Sequence, residues 1–399
     1  MTALRSSRRA VCRHIVGWSA AALLLVAHAA WALPDLPQPA LTEVPPGWTD
    51  RVEEPPESPS WLLIEASTGQ VIAGQRYRQR RPVASTIKTL TALTALQRAG
   101  LDTVITAGDE VAQTAGAGVG LRPGDEWSLA TLLDAMMVRS GNDAAEVVAR
   151  HVGGSRDAFV DMMRADAQQL GIVGAVIDDP AGLDDTNRLS AHDLAIIGLA
   201  ALADPQLRTT MARRSMLVPR QGELDNRNLL IGGYPGATGI KTGFTVAAGN
   251  SLIASARRGE RELVAVVLGA GDDPQRFDDA TRLLDYGFTH TRPTLATPRA
   301  TLRIAGGVVD WRAVNDVIVT LPHGVDYITQ TPMPRRWFTA APTADLIIDG
   351  THTLAIDVEV SVTHQHDPAH LSAGGVIGQA MADAAYAGLR AAADAGRLR

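Results

Sequence analysis

Ser85-Thr86-Ile87-Lys88-Thr89-Leu90-Thr91-Ala92-Leu93-Thr94-Ala95-Leu96 decides how the rest of this 399-residue chain is read. Ile87, Leu90, Leu93 and Leu96 recur at helical spacing, and Gly100 stands beyond them where a C-terminal cap belongs. The stretch therefore reads as a core helix with a serine at its start. Lys88 follows Ser85 by three residues, which puts the two side chains one turn apart on one face. A serine hydroxyl is a poor nucleophile until a neighbouring base takes its proton. Lysine becomes such a base when burial and a nearby cation strip its own proton. The free N–H groups of a helix N-terminus also suit an oxyanion.

The composition singles out the same lysine. Of 37 cationic residues only Lys88 and Lys241 are lysines, and the other 35 are arginines. Guanidinium stays charged in a protein, whereas an ammonium loses its proton when buried. The two positions that carry lysine are therefore the first candidates for chemistry, with Lys241 as the cation that depresses Lys88. Alone, Ser-x-x-Lys is commonly no more than a helix cap followed by an exposed lysine. Two further triplets change its weight: Ser140-Gly141-Asn142 in a turn between helices, and Lys241-Thr242-Gly243 on a strand.

Outward from Ser85, short apolar runs at Trp61 to Glu65 and Val71 to Gln75 predict a hairpin around Ser67-Thr68-Gly69. Helical patterns cover Leu129 to Val138, Asp143 to His151, Ala158 to Leu170 and Ala191 to Leu202. Strand patterns return at Gly239 to Thr245, Ser251 to Ala256 and Leu263 to Leu268, before a helix at Thr281 to Tyr286. Strands, helices, then strands again predict an α+β domain over 59–290: an antiparallel sheet assembled from both ends, flanked by helices, with an all-helical lobe inserted. Alternating runs at Val317 to Leu321, Ala344 to Ile348 and Leu354 to Val362 predict a small β-rich domain over 291–366, followed by an alanine-rich helical tail over 367–399.

The opening segment reads as an export signal over 1–32: arginines, an uncharged run, then Ala30-Trp31-Ala32 as a cleavage site. Residues 33–58 are rich in proline and acids and read as a linker. The sole cysteine, Cys12, lies in the signal, so the mature chain would hold no disulfide and no thiol nucleophile. The net charge of −6 includes four arginines and no acid in the first 32 residues, so the remainder is more acidic still. That argues against nucleic acid as a partner. No cofactor and no metal is expected: His364, His366 and His370 form the best histidine cluster but lack any accompanying metalloprotease motif.

Taken together, the three motifs resemble those of the penicillin-binding protein and β-lactamase superfamily. The sequence is most similar to the low-molecular-mass D-alanyl-D-alanine carboxypeptidases of peptidase family S11. Pro82-Val83-Ala84-Ser85-Thr86-Ile87-Lys88-Thr89 resembles the family's P-A-S-x-x-K-x-x-T stretch, with Val83 extra or substituted. Ser140 to Ala145, Asn226-Arg227-Asn228-Leu229-Leu230, Gly239 to Thr245, Ala248-Gly249 and Leu283 to Phe288 are similar to further family blocks. The resemblance implies a DD-peptidase/β-lactamase-like fold and release of the terminal D-alanine from peptidoglycan stem pentapeptides through an acyl-enzyme on Ser85. β-Lactams would act as inhibitors.

By the same resemblance Ser85, Lys88 and Ser140 are catalytic, and Asn142, Lys241, Thr242, Gly243, Phe244 and Arg276 bind substrate. Backbone N–H groups of Ser85 and Phe244 would form the oxyanion hole. Arg276 would meet the terminal carboxylate; its ordinary reading is a surface ion pair with Asp272 or Asp273. The location implied is the periplasm or the outer face of the cytoplasmic membrane. Class A β-lactamases use a glutamate between the second and third motifs, but none occurs from Val147 to Gly222. The aspartates there, Asp178, Asp179, Asp184 and Asp185, are assigned no catalytic role. A non-catalytic wall-binding protein would not need both Ser85 and Lys88. The weakly basic tail departs from the family's amphipathic anchor, leaving only weak membrane association through it.

Overall fold

The computed structural model describes residues 41–45, 47–296, 299–304, 307–313, 317–325, 327–328, 343–348 and 352–364. The signal and the alanine-rich tail predicted from the sequence lie outside the described residues.

Five strands make the central antiparallel sheet: β1 (Ser60–Glu65), β2 (Val71–Gln75), β3 (Ala237–Thr245), β4 (Gly249–Arg258) and β5 (Arg261–Ala270). Their order is β2-β1-β5-β4-β3, so the first two strands close onto the last three and residues 76–236 form an insertion. β1 is buried at every position, because both faces of the sheet are covered. Trp61 and Leu63 look to one side with Leu252, Ala254, Leu263, Ala265 and Val267, and meet Phe277, Leu283 and Leu284 of α7 (Asp273–His290). On the other side lies α5 (Ala191–Ala203). It comes close because Gly198 has no side chain: a Cβ there would stand 3.1 Å from Ile240 and 3.2 Å from Ile253.

Between β2 and β3 run α1 (Lys88–Leu96), α2 (Leu129–Val138), α3 (Asn142–Gly153), α4 (Arg156–Gln169), α5 and α6 (Pro205–Met211). Ser128, Ser155 and Ser190 cap α2, α4 and α5 with their hydroxyls, and Asp193 completes a capping box at α5. The sequence pattern missed α6, a seven-residue helix started by Asp204 and Pro205. Beyond α7, the strand Thr291–Ala296 pairs with Val317–Pro322. A second five-stranded antiparallel sheet contains Arg299–Ile304, Gly307–Ala313, His352–His364, Thr343–Ile348 and Tyr327–Ile328. The β-rich texture of this region was legible in the sequence.

Two expectations change. Part of the proline-rich stretch is docked: Trp48 is fully buried and Val52 nearly so. Thr49 Oγ1 bonds both the amide and the carbonyl of Gly74, and Thr42 Oγ1 accepts from Val71 N at 3.0 Å. These hydroxyls satisfy the outer edge of β2, which pairs with no further strand among the described residues. Ser85 also lies outside the α-helix proper, in the 3-10 turn Ala84–Ile87 that leads into α1. That turn is tightened by Thr86, whose N and Oγ1 both donate to the Val83 carbonyl.

Candidate active site

The Ser85 turn lies against β3, the far edge of the sheet. A Cβ on Gly243 would stand 3.0 Å from Val83 O and 3.1 Å from both Ser85 N and Thr86 N. Glycine is what lets the third motif close on the first. From the opposite side comes Gly182, at φ +74°, whose Cβ would lie 2.2 Å from Ala84 O. Ala84 and Ser140 both hold positive φ, 49° and 63°, a conformation that costs a residue with a side chain about 1–3 kcal/mol. Of the four non-glycine residues with positive φ among the described residues, these two fall in or beside the motifs, while Arg76 and Arg220 lie elsewhere.

Lys88 is fully buried on α1. Its Nζ donates to Ser85 Oγ at 2.8 Å, to Asn142 Oδ1 at 2.7 Å and to the Ala181 carbonyl. Ser85 Oγ donates to that same carbonyl at 3.3 Å. The amide of Asn142 is oriented without ambiguity, because its Nδ2 donates to Ala115 O at 2.8 Å and a carbonyl can only accept. Asn142 is itself fixed by its backbone N on Ala117 O, while the Asp143 carboxylate gathers Val119 N and Leu121 N. The second motif thereby holds loop 115–121 beside the first.

This geometry sets what the amine can do. Ala181 O and Asn142 Oδ1 are acceptors only, so a neutral Lys88 gives its two N–H bonds to them. Its lone pair then faces Ser85 Oγ. Burial pushes the lysine down to about 7; Asp179, Asp143 and Glu146 pull against that, and Arg227 assists it. The cation expected from the sequence in that role was Lys241. Lys241 instead carries its own depression, well below the usual lysine range, from burial first and then from Lys88, Arg227 and Arg276. Arg227 was the unassigned member of a recognised sequence block. Its Nε donates to Arg139 O at 3.0 Å.

The other candidates fall into place around this pair. Lys241 is buried and donates to Thr242 O at 2.9 Å, and Thr242 is buried beside it. Phe244, the next residue after Gly243, is 60% exposed. Arg276 makes the ion pair with the exposed Asp273 that was its ordinary reading, but is itself buried and also donates from Nη1 to Gly243 O at 3.0 Å. Ser140 is buried in the turn before α3, but Lys88 Nζ makes its bonds to Ser85, Asn142 and Ala181 rather than to it. Glu146, one residue before the glutamate-free window, is held by Arg156 at 3.3 Å. Among the described residues no group of three or more His, Cys, Asp or Glu is placed to hold a metal ion.

A serine held by a buried lysine, with an Asn from a second segment and a Lys-Thr-Gly edge strand alongside, defines an active-site-serine acyl-transfer enzyme. Residues 50–272 match the family model for D-alanyl-D-alanine carboxypeptidases, peptidase family S11. The chain belongs to that family and is a serine-type carboxypeptidase of the cell wall. It is 36% identical over 258 residues to D-alanyl-D-alanine carboxypeptidase DacB2 of Mycobacterium tuberculosis, covering 60% of this chain and 88% of that one. With DacC of Escherichia coli it shares 31% identity over 254 residues, 59% of this chain and 64% of that one. The crystal structure of DacD from Francisella tularensis superposes on 84% of this chain and 98% of its own with a TM-score of 0.66, at 21% identity, a likeness of fold.

Proposed function

We propose that Ser85 is the nucleophile and Lys88 its proton acceptor in removal of the terminal D-alanine from peptidoglycan stem pentapeptides. The observation that carries this is the fully buried Lys88 amine, 2.8 Å from Ser85 Oγ, with its remaining hydrogens committed to two pure acceptors. Ser85 Oγ attacks the carbonyl carbon of the D-Ala-D-Ala bond as its proton passes to Lys88. The C–N bond then breaks, the proton goes to the departing amine, and free D-alanine leaves. Water hydrolyses the ester, releasing the shortened peptide acid and restoring Ser85.

In this reading Lys241, Thr242 and Arg276 form the cationic side on which the substrate carboxylate rests. A carboxylate beside the buried Lys241 would restore its charge. Phe244 and Ser85 supply oxyanion N–H groups, Gly243 gives the close approach, and Ser140 lines the opposite wall as proton relay. β-Lactams, which imitate the D-Ala-D-Ala end, acylate Ser85. The signal over 1–32 sends the chain to the periplasm or the outer face of the cytoplasmic membrane. The tail over 367–399 gives weak membrane association at most.

Labelled penicillin tests the core of the reading. Intact-mass measurement should show one adduct on the wild-type chain and none on Ser85→Ala. An unlabelled wild type, or a labelled Ser85→Ala, overturns it. Release of D-alanine from a pentapeptide, set against slow turnover of a chromogenic β-lactam, tests the substrate.

A further inference from the structure

The loop between α4 and α5 holds a buried carboxylate that the roles above leave unused. Asp179 is 1% exposed. Its Oδ1 accepts from Ala181 N at 2.8 Å, and its Oδ2 accepts from Asp184 N at 2.8 Å and from Leu183 N. Arg156 Nη2 stands 3.3 Å from Oδ1. Asn187 closes the base of the turn: its Oδ1 accepts from Asp178 N and Asp179 N, and its Nδ2 donates to Asp179 O at 2.8 Å. One step along, Pro180 O accepts from Thr91 Oγ1 on α1 at 2.6 Å. A carboxylate that collects several backbone N–H groups fixes the backbone that supplies them.

What this turn presents is the Ala181 carbonyl, shared by Lys88 Nζ and Ser85 Oγ, and the Gly182 backbone pressed on Ala84. We propose that Asp179 is a positioning residue of the acylation step: by gathering the amides of Ala181, Leu183 and Asp184 it aims the Ala181 carbonyl at Lys88 and so directs the lysine lone pair onto Ser85 Oγ. The proposal rests on Lys88 as proton acceptor. It assigns work to a residue of no catalytic role by sequence, since Asp179 touches neither serine nor lysine.

Charge gives the positioning a second, separable signature. Around Lys88 stand Asp179 in the loop, Asp143 and Glu146 on α3, Arg227 between α6 and β3, and Lys241 on β3; around Asp179 stand Arg156, Glu146 and Asp184. Among the anions, Asp179 does most to favour the charged form of Lys88. Lys88 must take a proton from Ser85 and return it to the leaving amine, and a group balanced near working pH does both. Removing the Asp179 charge therefore moves Lys88 toward its neutral form, so the acid limb of the acylation profile shifts to lower pH.

The test is the pH dependence of single-turnover acylation by labelled penicillin, on the full chain, for Asp179→Asn and Asn187→Ala, with thermal melts beside each. Asn in place of Asp offers one accepting oxygen instead of two, so the plateau rate should fall about tenfold or more and the acid midpoint should move down. Asn187→Ala loosens the same turn with its charges in place, so the plateau falls while the midpoint moves less. A plateau unchanged in Asn187→Ala, or a midpoint unchanged in Asp179→Asn, overturns the assignment. Should Asp179→Asn fail to fold, the Asn187→Ala plateau decides. Lys88→Arg separates the two readings, because acylation retained there overturns Lys88 as base and not the turn alone.

Discussion

Gly182 and Ala84 meet backbone to backbone, with the Cβ that Gly182 lacks falling 2.2 Å from the Ala84 carbonyl oxygen and 2.8 Å from Ser85 N. Ala84 is itself in a left-handed conformation, so the turn carrying the nucleophile is held from outside by this contact. Gly182→Ala has two obstacles at once, the positive φ and the clash. Its acylation rate should fall about a hundredfold, as expected when a reacting group is displaced by about an ångström. Labelled-penicillin kinetics on folded Gly182→Ala protein check this, and a wild-type rate would show that the contact yields at no cost to Ser85.

Lys88 gives the pH dependence its sign. With Lys88 as the proposed proton acceptor the reactive form is the neutral amine, and burial holds the lysine at about 7 against its ordinary 10.5. Below that midpoint the ammonium has no lone pair to offer, so acylation should rise with pH through about 7 and level off above it. Lys88→Arg keeps a cation that cannot deprotonate in a protein. Acylation should then vanish across the whole range, which stopped-flow or quenched labelling would read directly.

Asn142 and Lys88 make a third test with the opposite sign. Asn142→Asp places a carboxylate 2.7 Å from Nζ and favours the ammonium, so the acid limb should move to higher pH. The same change removes the donor to Ala115 O, which loosens loop 115–121. The plateau should therefore fall as well. A midpoint that stays in place or moves down in Asn142→Asp contradicts the direct Lys88–Asn142 bond.

Much of this site was legible because its residues carry their chemistry in their identity. Ser85, Lys88, Asn142 and Lys241 are rare or motif-bound types, and the two lysines among 37 cations marked themselves. The sheet was legible too, since β1 and β5 carry unbroken apolar runs at Trp61 to Ile64 and Leu263 to Leu268, and a turn at Arg258 to Arg261 joins β5 to β4. What stayed hidden acts through the backbone. Ala181 contributes only a carbonyl, Gly182 and Gly243 only the absence of a Cβ, and none of these leaves a trace in side-chain chemistry. Arg227 and Asp179 were hidden for another reason. Their influence on Lys88 runs through space, across segments about 90 to 140 residues apart that only the inserted helical lobe brings together.

Trp48 shows how composition misled in the other direction. Proline and acid content made 33–58 read as linker, yet Trp48 is fully buried and the turn Thr49–Arg51 is fastened to β2 through the Thr49–Gly74 bonds. Further on, Asp279 of α7 accepts from Ser58 N at 3.0 Å and from Ser58 Oγ at 2.5 Å, fixing the chain just before β1. The docked segment sits on β2, at the edge of the sheet opposite β3, against which the Ser85 turn lies. Trp48→Ala should therefore cost about 3–5 kcal/mol, the range for removing a large buried aromatic. The catalytic domain should melt at a clearly lower temperature, while acylation per folded molecule at low temperature stays at the wild-type value. Differential scanning calorimetry with active-site titration reads both quantities, and an unchanged melt would return this stretch to the status of a linker.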